Sequence, residues 1–135
     1  MWGSEYLCST LRTLDGTSYP MCGVLPGETT MCDRLQALGY VEIETVRDSV
    51  VGRAGLRFRG HQFRYSNIKI EEKGVARAFD VVRRRGGERF QEGYQVDQVL
   101  GSYVHAHWAS NPGLPAALVE ACRRSANQSG FLRMS

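Results

Sequence analysis

Two segments near the start of the chain have helical spacing. Through residues 6–14, apolar side chains recur at intervals of three and four, as on one face of a short helix. Further on, Thr30 and Asp33 resemble a capping box, and Gly39 is suited to end a helix. The inner face of that helix would consist of Leu35 and Leu38. The pattern therefore predicts helices over residues 6–14 and 31–38.

The middle of the chain alternates apolar and polar residues, as half-buried strands do. Alternation runs over residues 40–46 and resumes in two segments between residues 56 and 70. Further strands are predicted over residues 78–82 and 91–104, on either side of a polar, glycine-containing turn at residues 83–88. The middle of the domain is therefore expected to be rich in strands.

The C-terminal region is predicted to be helical and then loose. Pro115 is suited to open a helix. Its inward residues are expected to be Leu118, Val119 and Cys122. Residues 127–135 form a polar segment that we expect to be a loose tail, which leaves residues 1–126 for the folded domain. A strand-rich middle with flanking helices favours an α/β or α+β domain.

Length and composition are those of a single globular domain. The 135 residues are 42% hydrophobic and 23% charged, which excludes disordered and low-complexity chains. The longest apolar run, Ala116–Val119, is far shorter than the roughly 18 residues of a spanning helix. The N-terminus also lacks the basic and apolar segments of a secretory signal. We therefore expect no membrane partner and a cytoplasmic location.

Neither charge nor cysteine spacing points to a nucleic-acid or metal partner. The 17 basic and 14 acidic residues give a net charge of +3, and only Arg83–Arg85 forms a dense basic run. The four cysteines lack the CxxC spacing typical of zinc and redox sites, so free thiols are expected. We predict no bound metal and no nucleic acid.

The strongest candidate for chemistry is the segment GSYVHAHW at residues 101–108. It places His105 and His107 where a predicted strand ends, and such positions in α/β folds often present reactive groups to a crevice. Histidine titrates near neutral pH, so it can accept and return a proton. The alternative is that one or both histidines are structural, held by hydrogen bonds in a half-buried position.

A second candidate is the polar and aromatic segment RGHQFRYS at residues 59–66. Its His61, Gln62, Arg64 and Tyr65 have the mixture of directed polar groups and rings that lines ligand pockets. The alternative is an exposed strand with an ordinary alternating surface.

Four motifs together resemble one known family. In chain order they are YPM with GVLP, DRLQALGY, RGHQFRYS and GSYVHAHWASNP. They resemble the C-terminal glutamine amidotransferase domain of the cobyrinic acid a,c-diamide synthases, over residues 6–112. The resemblance implies an α/β fold, namely part of a flavodoxin-like class I glutamine amidotransferase domain with a strand-rich middle and flanking helices.

The same resemblance implies an activity and its partners. Enzymes of this family amidate the a and c carboxylates of a corrin precursor, with glutamine as the nitrogen donor. They use ATP and Mg²⁺ in an N-terminal synthetase domain that precedes the amidotransferase domain. No GxxxxGK[ST] sequence occurs in the 135 residues, so no usual phosphate-binding loop is available here.

The resemblance also assigns roles to residues. His105 falls at the catalytic histidine of the family, while His61, Gln62, Arg64, Tyr65 and His107 are candidates for substrate binding. His107 stands where many other class I amidotransferases carry a glutamate. Family members usually have glutamate and histidine at the positions of Gln62 and Arg64.

The nucleophile departs from the family pattern. Aligning the Tyr-Leu of the family motif with Tyr6-Leu7 puts Met1 at the catalytic cysteine, and a methionine cannot form a thioester. Cys8 is expected to lie inside the following helix and not on the sharp turn that exposes a nucleophile. We therefore expect an N-terminally truncated domain without the synthetase domain, inactive alone and prone to self-association through uncovered strands.

Three other interpretations of these residues remain open. A non-catalytic pseudo-amidotransferase could bind a corrinoid or a synthetase partner through His61, Arg64 and His105. A small metal protein could use His61, His105 and His107 as ligands. RNA binding would rest only on the arginine run Arg83–Arg85 near Phe90 and Tyr94.

Overall fold

A computed structural model of the chain describes the backbone of residues 3–134 and the side chains of residues 4–130. The strands are β1 (Cys8–Arg12), β2 (Ser18–Pro20), β3 (Leu25–Met31), β4 (Ala37–Thr45), β5 (Arg57–Arg64), β6 (Ser66–Ile70), β7 (Ala76–Arg83), β8 (Arg89–Val96), β9 (Val99–Gly101) and β10 (Val104–Ala106). The helices are α1 (Gly3–Leu7), α2 (Gly113–Met134) and a short 3-10 helix at Trp108–Ser110. The described chain is therefore a strand-rich α/β structure with a C-terminal helix.

The smaller sheet has four strands in the order β2-β1-β3-β6. Strands β1 and β3 pair in parallel, while β2 and β6 pair antiparallel with their neighbours. Because β1 lies between β2 and β3, both of its backbone edges are hydrogen-bonded. The edges of this sheet are the short β2 and β6.

The larger sheet curls until its two edges approach each other. Its order is β10-β5-β4-β7-β8-β9, with every pair antiparallel, so β9 and β10 lie at opposite edges. Only Ser102 and Tyr103 separate these two strands along the chain. An extended chain spans at most about 3.6 Å per residue. The edges therefore meet at this connection, as in a partly closed barrel.

The hydrophobic core lies on the concave face of the curled sheet. Its buried members are Val41, Ile43, Phe58, Ala78, Phe79, Val81, Val104 and Leu114. Phe58 and Phe79 pack edge to face with ring centroids 5.6 Å apart. Leu114, in the first turn of α2, is 1% exposed, so this turn covers part of the core.

The strands predicted from alternation are confirmed. In β4, Val41, Ile43 and Thr45 are buried while Glu42 is exposed, as an alternating strand requires. The predicted segments between residues 56 and 70 are β5 and β6, and residues 78–82 lie in β7. The segment 91–104 contains β8, β9 and the start of β10, because the chain changes sheet edge at Ser102.

The predicted N-terminal helices are wrong. Only α1 is helical in the first segment, and residues 8–12 form β1. Residues 31–38 contain the end of β3 and the start of β4, with Leu35 and Leu38 exposed. Gly39, expected as a helix end, lies within β4 with a φ of 137°. Long-range pairing with β6 and β5 outweighs the weak local helical spacing in these segments.

The C-terminal helix is longer and more exposed than predicted. Leu118 is half-buried, but Val119 is 57% exposed and Cys122 is exposed, so their predicted inward orientation is wrong. The helix also continues to Met134, through residues expected to form a loose tail. Helix α2 therefore packs on the domain mainly through its first two turns.

Candidate functional site

Two histidines meet on neighbouring strands of the curled sheet. His105 in β10 is directly opposite His61 in β5, and their ring centroids are 4.5 Å apart. Tyr40 in β4 is opposite His61 on its other side, with ring centroids 6.4 Å apart. Directly paired residues project from the same face of a sheet. The three rings therefore form one row across β4, β5 and β10.

Gly60 allows β10 to pack closely against β5. A Cβ atom at Gly60 would lie 2.5 Å from the carbonyl oxygen of His105 and 2.7 Å from Cγ1 of Val104. Both distances are shorter than any real contact of a Cβ atom. The absence of a side chain at Gly60 is thus what permits the approach that brings the two histidines together.

The surroundings of His105 favour a neutral imidazole. Burial lowers the pKa of His105 below its usual 6.5, and the neighbouring His61 lowers it further. Its Nε2 atom is buried and has no hydrogen-bond partner among the described residues. A neutral imidazole with an uncommitted nitrogen can accept a proton from a reacting group.

A buried carboxylate anchors the connection that leads into β10. Glu92 in β8 is 4% exposed and accepts hydrogen bonds from the Ser102 hydroxyl and from the backbone N–H of Tyr103, the latter at 2.8 Å. Burial raises the pKa of Glu92, and these two hydrogen bonds act in the opposite direction. Glu92 thereby holds together the two sheet edges at the point just before His105.

A second buried network joins α1 to the same connection. The Ser66 hydroxyl donates to Glu5 Oε1 at 2.8 Å and lies 3.0 Å from the Tyr103 hydroxyl. Because the single hydroxyl proton of Ser66 goes to Glu5, the Tyr103 hydroxyl is the donor to Ser66. Burial raises the pKa of Tyr103 to about 12, so it keeps the proton that it donates. This chain of hydrogen bonds fixes α1 relative to the His105 strand.

The remaining predicted site residues lie apart from the histidine pair. Gln62 is 2% exposed and is opposite Val104, so it projects from the core face. Arg64 donates to the Ser66 carbonyl at 2.8 Å and lies over the Tyr103 ring. Its role in the described structure is therefore to support the buried network.

Tyr65 and His107 are on the surface. Tyr65 is 42% exposed and its ring makes an edge contact with Phe63, with centroids 5.5 Å apart. His107 is exposed, and its backbone N–H donates to the Arg59 carbonyl at 2.8 Å. The structure thus brings His61 and His105 together and leaves the other four candidates outside that pair.

A cavity of about 440 Å³ opens at the mouth of the curled sheet. It is lined by core residues such as Phe58 and Phe79 and by Leu7, Gly101 and His105. This volume is within the range of about 300–1,000 Å³ that is usual for small-molecule sites. A small molecule therefore has room between Leu7, at the end of α1, and the His105 strand.

No cluster of metal-ligating side chains occurs among the described residues. Across residues 4–130, no three histidine, cysteine, aspartate or glutamate side chains converge as metal ligands, so His61, His105 and His107 do not form a three-histidine site. The whole sequence also lacks a phosphate-binding P-loop motif. Within the described residues, no helix is long and apolar enough to cross a membrane.

Cys8 is the cysteine nearest in sequence to Met1, the expected nucleophile position. Met1, which takes the cysteine position in the resemblance, lies outside the described residues. Cys8 is the first residue of β1 and not part of a helix as predicted. It is fully buried, and burial raises the pKa of its thiol. A buried thiol of raised pKa is a poor nucleophile, so Cys8 does not replace the missing cysteine.

Sequence reasoning missed the buried supports of the site. Glu5, Ser66, Glu92 and Tyr103 were not singled out, because their contacts join different elements of the fold. The sequence contains one usable signal: Glu92 lies between Phe90 and Tyr94 on the same face of β8. A carboxylate at an apolar position of a strand indicates a buried, hydrogen-bonded group.

The architecture and the histidine pair define a class of protein. A strand-rich α/β structure with two sheets, a C-terminal helix and a histidine at a sheet edge is consistent with part of a class I glutamine amidotransferase fold.

Comparison with known sequences identifies the family. A sequence model of the CobB/CobQ-like glutamine amidotransferase domain matches residues 3–113. Because this match covers most of the chain, the chain belongs to the CobB/CobQ-like glutamine amidotransferase family.

Curated relatives carry closely related names. A cobyrinate a,c-diamide synthase of Leptospira interrogans is 40% identical over 123 residues, covering 90% of this chain and 27% of that protein. A hydrogenobyrinate a,c-diamide synthase of Streptomyces coelicolor is 42% identical over 91% of this chain and 23% of its own length. A cobyrinate a,c-diamide synthase of Methanothermobacter thermautotrophicus is 42% identical over 84% of this chain and 24% of its own length. The chain thus spans about a quarter of the length of these relatives.

Proposed function

We propose that this chain is part of an ATP- and glutamine-dependent amidotransferase that amidates the a and c carboxylates of cobyrinate in cobalamin biosynthesis. The observation that carries the proposal is the half-buried His105 paired with His61, within a segment that matches the amidotransferase family. The names of the relatives support cobyrinate as the acceptor. ATP and glutamine are cytoplasmic metabolites, so the proposal places the reaction in the cytoplasm.

In this proposal His105 handles the protons of glutamine hydrolysis. It accepts the thiol proton of a cysteine nucleophile, and the thiolate attacks the carboxamide carbon of glutamine. The proton then passes to the leaving nitrogen, the C–N bond breaks, and ammonia departs from a glutamyl thioester. Water hydrolyses the thioester, which releases glutamate and restores the thiol. In the synthetase portion of the family enzyme, ATP would convert a carboxylate of the corrin precursor into an acyl phosphate with release of ADP, and attack by ammonia would form the amide and release phosphate.

The chain supplies the histidine half of this chemistry but not the thiol. Met1 has no thiol, and Cys8 is buried at the start of β1. The nucleophile, ATP and Mg²⁺ therefore have to be provided by another polypeptide segment, which we identify with the synthetase portion of the family enzyme and the first part of its amidotransferase domain. Alone, the chain is expected to release no measurable ammonia from glutamine.

An exchange experiment tests the proposal. In the Leptospira interrogans relative, the matching segment is replaced with residues 3–113 of this chain, so that the cysteine of the relative is retained. We expect this exchange enzyme to form the a,c-diamide with glutamine, whereas the isolated 135-residue chain releases no ammonia. An isolated chain that hydrolyses glutamine at the rate of the relative would contradict the proposal, as would an exchange enzyme that uses ammonia but not glutamine.

The missing thiol favours one second candidate, a non-catalytic pseudo-amidotransferase that binds a corrinoid or a synthetase partner. The same exchange enzyme separates the two functions. A pseudo-amidotransferase segment would support binding of the corrin precursor but no glutamine-dependent amidation. In that case His105→Ala would weaken binding, whereas in the first candidate it removes glutamine use.

A further inference from the structure

A groove lies beside the row of rings that contains the two histidines. It runs between β4 and the turn that joins β7 to β8, and its volume is about 700 Å³. Its lining residues are Leu38, Gly39, Tyr40, Val41, Arg83, Arg84 and Arg85. Because Tyr40 belongs both to the groove and to the row of rings, the groove is continuous with the face that carries His61 and His105.

One wall of the groove is strongly basic. Arg83 pairs with Glu88 at 2.7 Å and lies over the Phe90 ring, so it is held by its own hairpin. Arg84 and Arg85 are exposed and form no ion pair with any described residue. The backbone N–H of Arg84 donates to the Tyr40 carbonyl at 3.0 Å, which fixes this wall against β4. Two guanidinium groups are thus presented without a partner of opposite charge.

The other wall is apolar and exposed. Tyr40 is 71% exposed and Leu38 is 62% exposed, although both lie in the middle of the larger sheet. Large apolar side chains grouped on an open surface often mark a binding site. No acidic residue lines this groove. The groove therefore combines a flat apolar surface with two free positive charges at its rim.

We infer that this groove binds the corrin acceptor as a flat, apolar-faced polycarboxylate. Arg84 and Arg85 pair with carboxylates at the edge of the macrocycle, because guanidinium matches carboxylate in planar, two-point geometry. Tyr40 and Leu38 contact its apolar face. The groove volume is within the usual small-molecule range of about 300–1,000 Å³. This inference rests on the proposed function and adds to it the place where this chain holds the acceptor.

The position of the groove agrees with the order of events in the proposed reaction. Ammonia is released at His105, whose ring is one step from His61 and two steps from Tyr40 along the row. An acceptor in the groove therefore lies on the same face of the sheet as the ammonia source. A nucleic acid is a weaker match, because Arg83–Arg85 is the only dense basic run in a chain of net charge +3.

The inference can be tested with the 135-residue chain by equilibrium dialysis. Cobyrinic acid is the probe, and its visible absorbance reports the bound fraction. We expect Arg84→Ala/Arg85→Ala to weaken binding by at least about tenfold, which corresponds to about 1.4 kcal/mol. The control Arg123→Ala/Arg124→Ala removes the same charge from α2 and should leave the dissociation constant unchanged. Circular dichroism melts establish that each variant is folded, and Arg84→Gln/Arg85→Gln repeats the test.

Two further arms identify the chemistry that is recognised. The fully esterified cobyrinic acid keeps the macrocycle but lacks free carboxylates, and it should bind as weakly as cobyrinic acid binds to the double arginine variant. Tyr40→Ala should weaken binding of cobyrinic acid several-fold, whereas Tyr19→Ala, an exposed tyrosine of the smaller sheet, should not.

Several outcomes would overturn the inference. These are an unchanged dissociation constant in the folded double arginine variant, equal binding of the ester, no binding of cobyrinic acid by the chain, or tighter binding of an oligonucleotide than of cobyrinic acid. None of them decides the proposed function, which depends on glutamine use by the exchange enzyme. The exchange enzyme could form no a,c-diamide from glutamine while the chain still binds cobyrinic acid through Arg84 and Arg85. That result would contradict the proposed function but would support the groove as a corrinoid-binding site.

Discussion

His61 and His105 are opposite each other in adjacent antiparallel strands, with their ring centroids 4.5 Å apart. Burial, and next the nearby His61 ring, lower the pKa of His105 below its usual 6.5. The lowered pKa favours the neutral form of the His105 imidazole near neutral pH. In the proposed reaction, the neutral base at His105 depends on this arrangement.

The titration of His105 should shift when its neighbour is removed. We expect the pKa of His105 to be below 6.5 in the native chain, because burial and His61 both lower it. His61→Ala should raise the pKa of His105, because the charge of the neighbouring ring is lost. Imidazole resonances followed by NMR across the pH range measure both values. An unchanged midpoint in His61→Ala would show that the rings are not coupled.

The sign of this shift also fixes how His105 affects stability. A histidine with a lowered pKa in the folded state resists protonation, whereas the unfolded chain takes up a proton near its usual 6.5. The contribution of His105 to stability is therefore present at higher pH and is lost as the pH falls below 6.5. His105→Gln should reduce this loss in denaturant titrations at several pH values.

A side chain at Gly60 should separate β10 from β5. Gly60→Ala places a methyl group against the carbonyl of His105 and the side chain of Val104. We expect a loss of about 1–3 kcal/mol in the free energy of unfolding, as for other overpacked sites. The matched control is Gly130→Ala in α2, where the new Cβ meets nothing within 4 Å. It should stabilise the chain slightly, by up to about 1 kcal/mol. Equal melting curves for Gly60→Ala and native chain would contradict the close approach.

The direction of hydrogen bonding in the buried network predicts an order of stabilities. Tyr103→Phe removes one donor but leaves the Ser66 hydroxyl donating to Glu5, so the cost should be about 1 kcal/mol. Ser66→Ala leaves both the Tyr103 hydroxyl and the Glu5 carboxylate without their partner, so the cost should be at least about 2 kcal/mol. Urea unfolding of the two variants measures this order. A larger loss of unfolding free energy in Tyr103→Phe than in Ser66→Ala would contradict the assigned direction of the hydrogen bond from Tyr103 to Ser66.

The exposed apolar residues of β4 and β5 should make the chain self-associate. Phe63 is 49% exposed and is directly opposite Leu38, which is 62% exposed. We expect sedimentation velocity to show a concentration-dependent increase in the average mass of the chain. Phe63→Glu should shift the population toward monomer, whereas Val119→Glu on the exposed face of α2 should not. A native chain that stays monomeric at all concentrations would contradict this prediction.

The strands from β4 onward could be predicted because their apolar alternation matches the burial that the sheet imposes. The region before β4 could not, because β1 and β3 become strands through pairing with each other and with β6. Local spacing in residues 31–38 suggested a helix, yet Leu38 is part of a strand and faces outward. Pairing with strands far along the chain determines the secondary structure of these segments.

The candidate site was also only partly predictable, because a local pattern marks single residues but not their contacts with distant strands. His105 stands at the end of a predicted strand and within a family motif, so it could be singled out. Its partner His61 was named, but their pairing depends on the register of β5 with β10. The network of Glu5, Ser66 and Tyr103 joins residues 61 and 37 positions apart in sequence, and no local pattern reports such contacts.

The most direct test of the account compares nitrogen donors in the exchange enzyme that carries residues 3–113 of this chain. With His105→Ala, we predict that a,c-diamide synthesis from glutamine falls by at least about a hundredfold, the usual contribution of general acid–base catalysis. Synthesis from added ammonia should be unchanged, because ammonia bypasses glutamine hydrolysis. Retention of glutamine-dependent synthesis by the His105→Ala enzyme would contradict the role assigned to His105.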